Sequence, residues 1–303
     1  MNLAESGPAT FAARVVADFG RRFVVATAAA TPAVRGAVRR GKRDDVVVGD
    51  EVVCGRLGDD DAVIEAVLPR SRLLFRSAAT RTKLLAANVD RVAIVFAAQP
   101  AFNSHFIWRA LVAAAAADVA AVVVLNKIDL PDPDGRAARL LDDERARGTP
   151  GVRVSVRGAT EAARGTLREV FEGHRTLLVG QSGMGKSSIV NLLVPDASER
   201  TREFSARLNV GRQTTTASRW FDLPGGGALV DAPGFQQFGL AHVAPRRLDA
   251  LLPEFAELAG QCRFANCRHL AEPGCAVRAA VDRGAIDAQR HAFYRELLAE
   301  LSR

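Results

Sequence analysis

The chain has 303 residues, 48% hydrophobic and 25% charged, an ordinary globular composition with room for two or three cores, and its formal net charge of +7 points to a polyanionic partner such as nucleic acid. Its most apolar stretch, residues 110–125, is too short to span a bilayer and carries Asp118, and the first residues lack the basic-then-apolar pattern of a signal peptide, so no membrane-spanning or targeting segment is expected. Of four cysteines, three fall within residues 262–275, which is no disulfide framework and leads us to expect a reducing cytoplasm.

Residues 11–69 break into short β-rich runs (ARVVADFG, RRFVVAT, VRGAVRR, DDVVVGDEVVCGRL, DAVIEAVL) separated by Gly, Asp and charged turns, the pattern of a small antiparallel barrel or sandwich. Cys54 reads there as core filling. Residues 34–43, VRGAVRRGKR, pack five basic side chains into one turn, a candidate contact for RNA phosphates. From about residue 77 strands and helices alternate: a strand over 89–98, a helix near 104–117, strands over 120–125 and 152–156 flanking a helix over 136–147, a helix near 160–171 and a strand over 176–180. Such alternation predicts a parallel sheet covered on both faces.

The strand ending at Leu125 delivers Asn126, Lys127, Ile128 and Asp129 to the carboxyl edge of that sheet, where open α/β folds bind ligands. A carboxylate there accepts two hydrogen bonds from guanine N1–H and its exocyclic amine, a donor pair that adenine lacks. Asn126 is suited to hold the loop, and the Lys127 stem to pack over the base. "VSVRG" (154–158) is a candidate final loop over the base.

The strand over 176–180 opens into Gly180, Gln181, Ser182, Gly183, Met184, Gly185, Lys186, Ser187 and Ser188, matching G-x-x-x-x-G-K-[ST]. Its glycines turn consecutive backbone N–H groups inward, the following helix adds a positive N-terminal end, Lys186 reaches the β and γ phosphates, and the Ser187 hydroxyl ligates Mg²⁺. The chain has only four lysines among 41 basic residues, which makes Lys127 and Lys186 the more telling. Asp231 to Gly234, in D-x-x-G form after the strand GALV, sets a carboxylate near Mg²⁺ and a glycine amide near the γ-phosphate. Between these motifs lies GRQTTT (211–216), whose hydroxyls, Thr215 among them, complete the metal shell, within an arginine-rich segment over 199–220. Beyond residue 245 the chain turns helical. There Cys262, Cys267, His269 and Cys275 supply three thiolates and one imidazole, a closed tetrahedral set for one structural Zn²⁺. No role is assigned to His105, His174, His242 or His291.

The order of these motifs, guanine reader first and phosphate loop second, resembles the circularly permuted GTPases of the RsgA (YjeQ) family, along the whole chain. The resemblance implies an N-terminal OB-type barrel binding RNA (1–76), a circularly permuted Ras-like GTPase domain (77–244) and a C-terminal helical zinc domain (245–303). It implies GTP hydrolysis to GDP and phosphate with Mg²⁺, stimulated by the small ribosomal subunit during its late maturation, and we expect a monomer in contact with that subunit's rRNA. Ras-like enzymes place a glutamine after D-x-x-G; here Phe235 stands there, as an apolar residue does in the family. Family members commonly carry histidine in the first switch where this chain has Gln213, whose amide can orient water but is no useful base. Two other classes stand beside a ribosome-assembly GTPase: a GTP-regulated RNA-binding module in another process, and an ATP-using kinase or ATPase, against which Asp129 argues.

Overall fold

The computed structural model describes residues 10–28, 32–41, 45–58, 60–78, 81–207, 217–233 and 238–303. Gln213, Thr215 and Gly234, expected at the catalytic centre, lie outside the described residues, as do Phe235 and Lys42 and Arg43 of the basic turn.

Five strands, β1 (Thr10–Asp18), β2 (Arg22–Ala26), β3 (Val34–Arg39), β4 (Glu51–Leu57) and β5 (Asp61–Val67), close into a ring in the order β1-β2-β3-β5-β4-β1. Only β3 and β5 run parallel. Alternate residues point inward, and Val15, Phe23, Val25, Val52, Cys54 and Ile64 fill the interior. Burial, helped by nearby Glu65, pushes the Cys54 thiol up to about 11, as befits a core residue. The β1–β4 pairing ends at Arg14, and beyond a bulge between Val15 and Ala17 the end of β1 stays on β2 while its other edge is open to pair elsewhere.

A hairpin, β6 (Leu73–Ala78) and β7 (Arg81–Ala87), leads out of the barrel. Strands β8 (Arg91–Phe96), β9 (Ala120–Leu125), β10 (Gly151–Arg153), β11 (Arg175–Val179), β12 (Ser218–Asp222) and β13 (Ala228–Asp231) form the second sheet, ordered β10-β9-β8-β11-β13-β12. All run parallel except β12. Helices α1 (Ser104–Ala116), α2 (Arg136–Ala146), α3 (Thr160–Phe171), α4 (Lys186–Leu193) and α5 (Ala197–Arg207) complete this unit. Asn103 starts α1 by accepting a hydrogen bond from His105 N–H at 2.9 Å. Helix α3 buries Ala163, Leu167 and Phe171, a stripe at helical spacing. The first part of the arginine-rich segment is helical, as α5.

Two features depart from the sequence reading. The strand expected over 152–156 stops at Arg153, because Ser155 turns into the cleft to bond Asp129. The barrel and the parallel sheet are also one continuous sheet: β12 pairs with the end of β1, Ala17 opposite Arg219 and Asp18 opposite Ser218. Near the boundary expected between residues 76 and 77, Ser77 N–H bonds Gly239 O at 3.0 Å and Ala241 N–H bonds Ser77 O at 3.1 Å. The last segment holds short turns, α6 (Pro253–Ala256), the cysteine cluster, α7 (Ala276–Asp282) and α8 (Ala288–Leu301). Among the described residues no helix is long and apolar enough to cross a membrane.

Candidate functional site

One cleft of about 600 Å³ opens along the carboxyl edge of the parallel sheet, lined at one end by Asp129 and Lys127 and at the other by Lys186, Ser187 and Asp231. Residues that lie about a hundred positions apart in sequence therefore share one cavity, as a ligand with a base and phosphates needs.

The phosphate end is built on backbone. Gly180 ends β11 beside β8, and a Cβ added to it would fall 2.3 Å from Val95 O. Gly185, at φ +98°, leaves no room either: an added Cβ would sit 2.2 Å from Asn126 Nδ2. Lys186 begins α4, is 8% exposed, and donates from Nζ to Gly180 O at 2.7 Å and Gln181 O at 3.1 Å. Burial draws its ammonium pKa down while Asp231 opposes that shift. Ser187 Oγ donates to Asp231 Oδ2 at 3.2 Å. A hydroxyl and a carboxylate aimed at one point beside the glycine loop are oxygen donors of the kind a hard divalent cation takes. Burial raises the Asp231 carboxyl pKa, with Lys186, Ser187 and Arg219 pulling it back down.

The base end hangs from Asn126, which is 2% exposed. Its Nδ2 donates to Met184 O at 3.0 Å, and its Oδ1 accepts from Val156 N–H at 3.4 Å, tying the glycine loop, β9 and the 155–158 turn together. Lys127 adopts φ +60° and donates from Nζ to Gln99 O at 3.1 Å. Ile128 N–H bonds Val154 O at 3.3 Å, while its side chain is half exposed. Asp129 Oδ1 accepts a short hydrogen bond from Ser155 Oγ, which in turn accepts from Gly158 N–H at 2.9 Å. Gln181 Oε1 accepts from Asn103 N–H at 2.9 Å, fixing the loop against the start of α1. Ser182, Gly183 and Ser188 line the cleft with them.

Outside this cleft, Cys262, Cys267, His269 and Cys275 bring four ligand atoms within 4.8 Å of one another. His269 Nδ1 lies 3.6 Å from Cys262 Sγ and 3.4 Å from Cys275 Sγ, and the ring's Nε2 is 3.8 Å from Asp249 Oδ2. Ala276 N–H donates to Cys262 Sγ at 3.3 Å and Arg278 N–H to Cys275 Sγ at 3.4 Å. Burial, with the Cys275 and Cys262 thiols adding to it, pushes the Cys267 thiol up. Three thiols this close ionise together only around a cation, so the donor set fits a soft or borderline metal.

Comparison with known proteins agrees with the geometry. The RsgA GTPase family model matches residues 67–241. The small ribosomal subunit biogenesis GTPase RsgA of Burkholderia pseudomallei (strain 668) is 47% identical over 289 residues, covering 95% of this chain and 92% of the relative. The chain belongs to the RsgA GTPase family. It is a GTP hydrolase. Among solved structures, YjeQ from Thermotoga maritima aligns with a TM-score of 0.71 at 30% identity, over 96% of this chain and 98% of that one. YloQ, a circularly permuted GTPase, shares the fold with a TM-score of 0.68 at 23% identity, over 99% and 98%. The permutation is visible in this RsgA-family chain itself: β9, which carries Asn126 to Asp129, precedes β11, which carries the glycine loop, yet both end at one cleft.

The sequence reading of this RsgA-family site passed over Ser155 as the residue that orients Asp129, and Arg219, which lines the cleft beside Asp231. Ser155 sits in the noted 154–158 stretch. Arg219 had two available signals: it lies in the arginine-rich segment over 199–220, and it is a charged residue in the strand just before the one that ends at Asp231.

Proposed function

We propose that this GTPase binds the small ribosomal subunit and its rRNA, assists late maturation of that subunit, and is stimulated by it, working as a monomer in the cytoplasm. Residues 1–76 act as the RNA-binding barrel, 77–244 as the GTPase and 245–303 as a zinc-stabilised unit, with the hairpin β6–β7 joining the first two. What carries this reading is the one cleft lined by both Asp129 and Lys186. The named relative supports the ribosomal partner.

Asp129 accepts two hydrogen bonds from guanine, with Asn126 holding the loop, the Lys127 stem over the ring and Ile128 backing the turn. Amides of Gly180, Gln181, Ser182, Gly183, Met184 and Gly185 cradle the phosphates at the start of α4, and Ser187 and Ser188 cap them. Lys186 holds the β and γ oxygens. Ser187, Asp231 and Thr215 would hold Mg²⁺, which when bound neutralises charge on the transferring phosphoryl group. Gly234 offers its amide to the γ-phosphate, and Gln213 orients the attacking water once the subunit orders the switch. Cys262, Cys267, His269 and Cys275 hold one structural Zn²⁺.

Two measurements test this. In competition, ATP should displace labelled GTP far less well than GDP does; equal displacement removes the guanine assignment. Sedimentation with small ribosomal subunits should show more bound protein with a non-hydrolysable GTP analogue than with GDP. No co-sedimentation in either state removes the ribosomal role. Separately, Gln213→Ala should lower subunit-stimulated turnover, and an unchanged rate sinks its role.

A further inference from the structure

The geometry points to Arg219 as a positioning residue that reads the third phosphate on behalf of the barrel; this rests on the GTP-binding reading of the cleft. Arg219 lies on β12, the one strand shared by the two sheets. Its Cα faces Asp231 across the ladder on one side and Ala17 of the barrel on the other. Its side chain lines the cleft with Lys186, Ser187 and Asp231. The guanidinium stands 5.7 Å over the ring of Phe19, the residue that leads β1 into its turn and whose N–H bonds Arg22 O at 2.9 Å. Arg219 Nε is buried and finds no hydrogen-bond partner among the described residues.

Counted by charge, the triphosphate end of the cleft holds two cations, Lys186 and Arg219, against the one carboxylate of Asp231. Lys186 is committed by the glycine loop to the β and γ oxygens. Arg219 sits on the Asp231 side, where D-x-x-G places the γ-phosphate. A guanidinium always carries its charge and offers its donors in a fixed fork. Its direction is set from inside the GTPase unit by the β12–β13 pairing and from outside it by the β1–β12 pairing and the Phe19 ring. A nudge to the β1–β2 turn, where Arg21 and Arg22 follow Gly20, turns the strand that aims Arg219. Barrel docking and the phosphate end are thereby linked through one side chain.

The test is equilibrium binding of fluorescent GDP and a fluorescent non-hydrolysable GTP analogue, with Mg²⁺, to full-length wild type, Arg219→Met, Arg219→Lys and Phe19→Leu, with unfolding midpoints alongside. Arg219→Met should weaken the analogue about tenfold while GDP changes less than about twofold, the size expected for one charge-assisted contact. Arg219→Lys should recover part of that discrimination, and Phe19→Leu should reproduce the loss in weaker form. Unchanged preference for the analogue in Arg219→Met overturns the proposal. So does an equal fall in both affinities with a lowered midpoint, which marks a purely structural arginine. If wild type binds neither nucleotide, the reading of the cleft fails first and this role falls with it.

Discussion

In the proposed function, guanine selectivity rests on Asp129, a carboxylate held ready. Ser155 and Gly158 fix its orientation before any base arrives, so little ordering remains to oppose binding. Asp129→Ala should therefore weaken GTP by about 10- to 100-fold, as expected for hydrogen bonds to a charged group, while leaving weak ATP binding nearly unchanged. Parallel titrations with the two nucleotides check it; loss of both in proportion means the loop has collapsed. What the sequence disclosed at this scale was whatever is contiguous. The glycine loop and Asn126 to Asp129 are legible because one turn of backbone must carry a fixed set of groups. Ser155 and Arg219 were not, because their partners stand 26 residues away and across a strand register, respectively.

Between elements, the join of α2, α6 and α8 is a buried ion cluster. Glu144 and Arg290 are each 1% exposed. Arg290 Nε donates to Glu254 Oε1 at 2.6 Å, Arg147 Nη1 to Glu144 Oε1 at 3.1 Å, and Trp108 Nε1 to the same Glu144 oxygen at 3.1 Å. The Arg290 guanidinium also lies 5.2 Å over the Trp108 ring. Arg290→Met removes the hydrogen bond to Glu254 and the nearby charge facing Glu144, which keeps Arg147 and Trp108, and should destabilise the protein by about 3 kcal/mol, read by denaturant unfolding. Glu144→Gln should behave otherwise. Burial raises the Glu144 carboxyl pKa despite the opposing pull of Arg290 and Arg147, so the neutral form is the easier one to bury. A folded pKa above the unfolded one contributes stability below about pH 4.3, lost as pH rises through the folded value. Relative to wild type, Glu144→Gln should therefore gain stability on going from pH 4 to pH 7, and unfolding midpoints across that range check the sign. None of this was legible: Glu144, Glu254 and Arg290 look like surface charges on polar helices until the helices are packed together. By contrast helix α3 itself was expected near residues 160–171, where its buried residues fall at helical spacing.

For the whole molecule, the order of motifs made the permuted topology readable through the family resemblance it carries. The fusion of barrel to GTPase through β1 and β12 was hidden, because the pairing that makes it covers two residues on each strand. Metal removal probes the other end. Cys275 caps α7 through its sulfur, so stripping zinc should loosen the start of that helix as well as the loop. Native mass spectrometry should find one zinc per chain, absent in Cys267→Ser, and chelation should lower the thermal midpoint; a metal-free chain of full stability contradicts the site. If the barrel grips phosphates, RNA binding should fall steeply with salt, and Arg40→Ala, at an exposed position of the basic turn, should flatten that slope by about one unit.

The eleven-stranded sheet closes on itself at the barrel, which leaves its far margin, β10, as the place where a foreign strand could add. That margin is three residues long, and its Gly151 carbonyl is already taken by Arg145 Nε of α2 at 2.9 Å, while Arg153 is drawn aside by Asp142. A passing chain finds almost no free backbone there to copy, so so broad a sheet carries little of the fibre-forming hazard its width would otherwise bring.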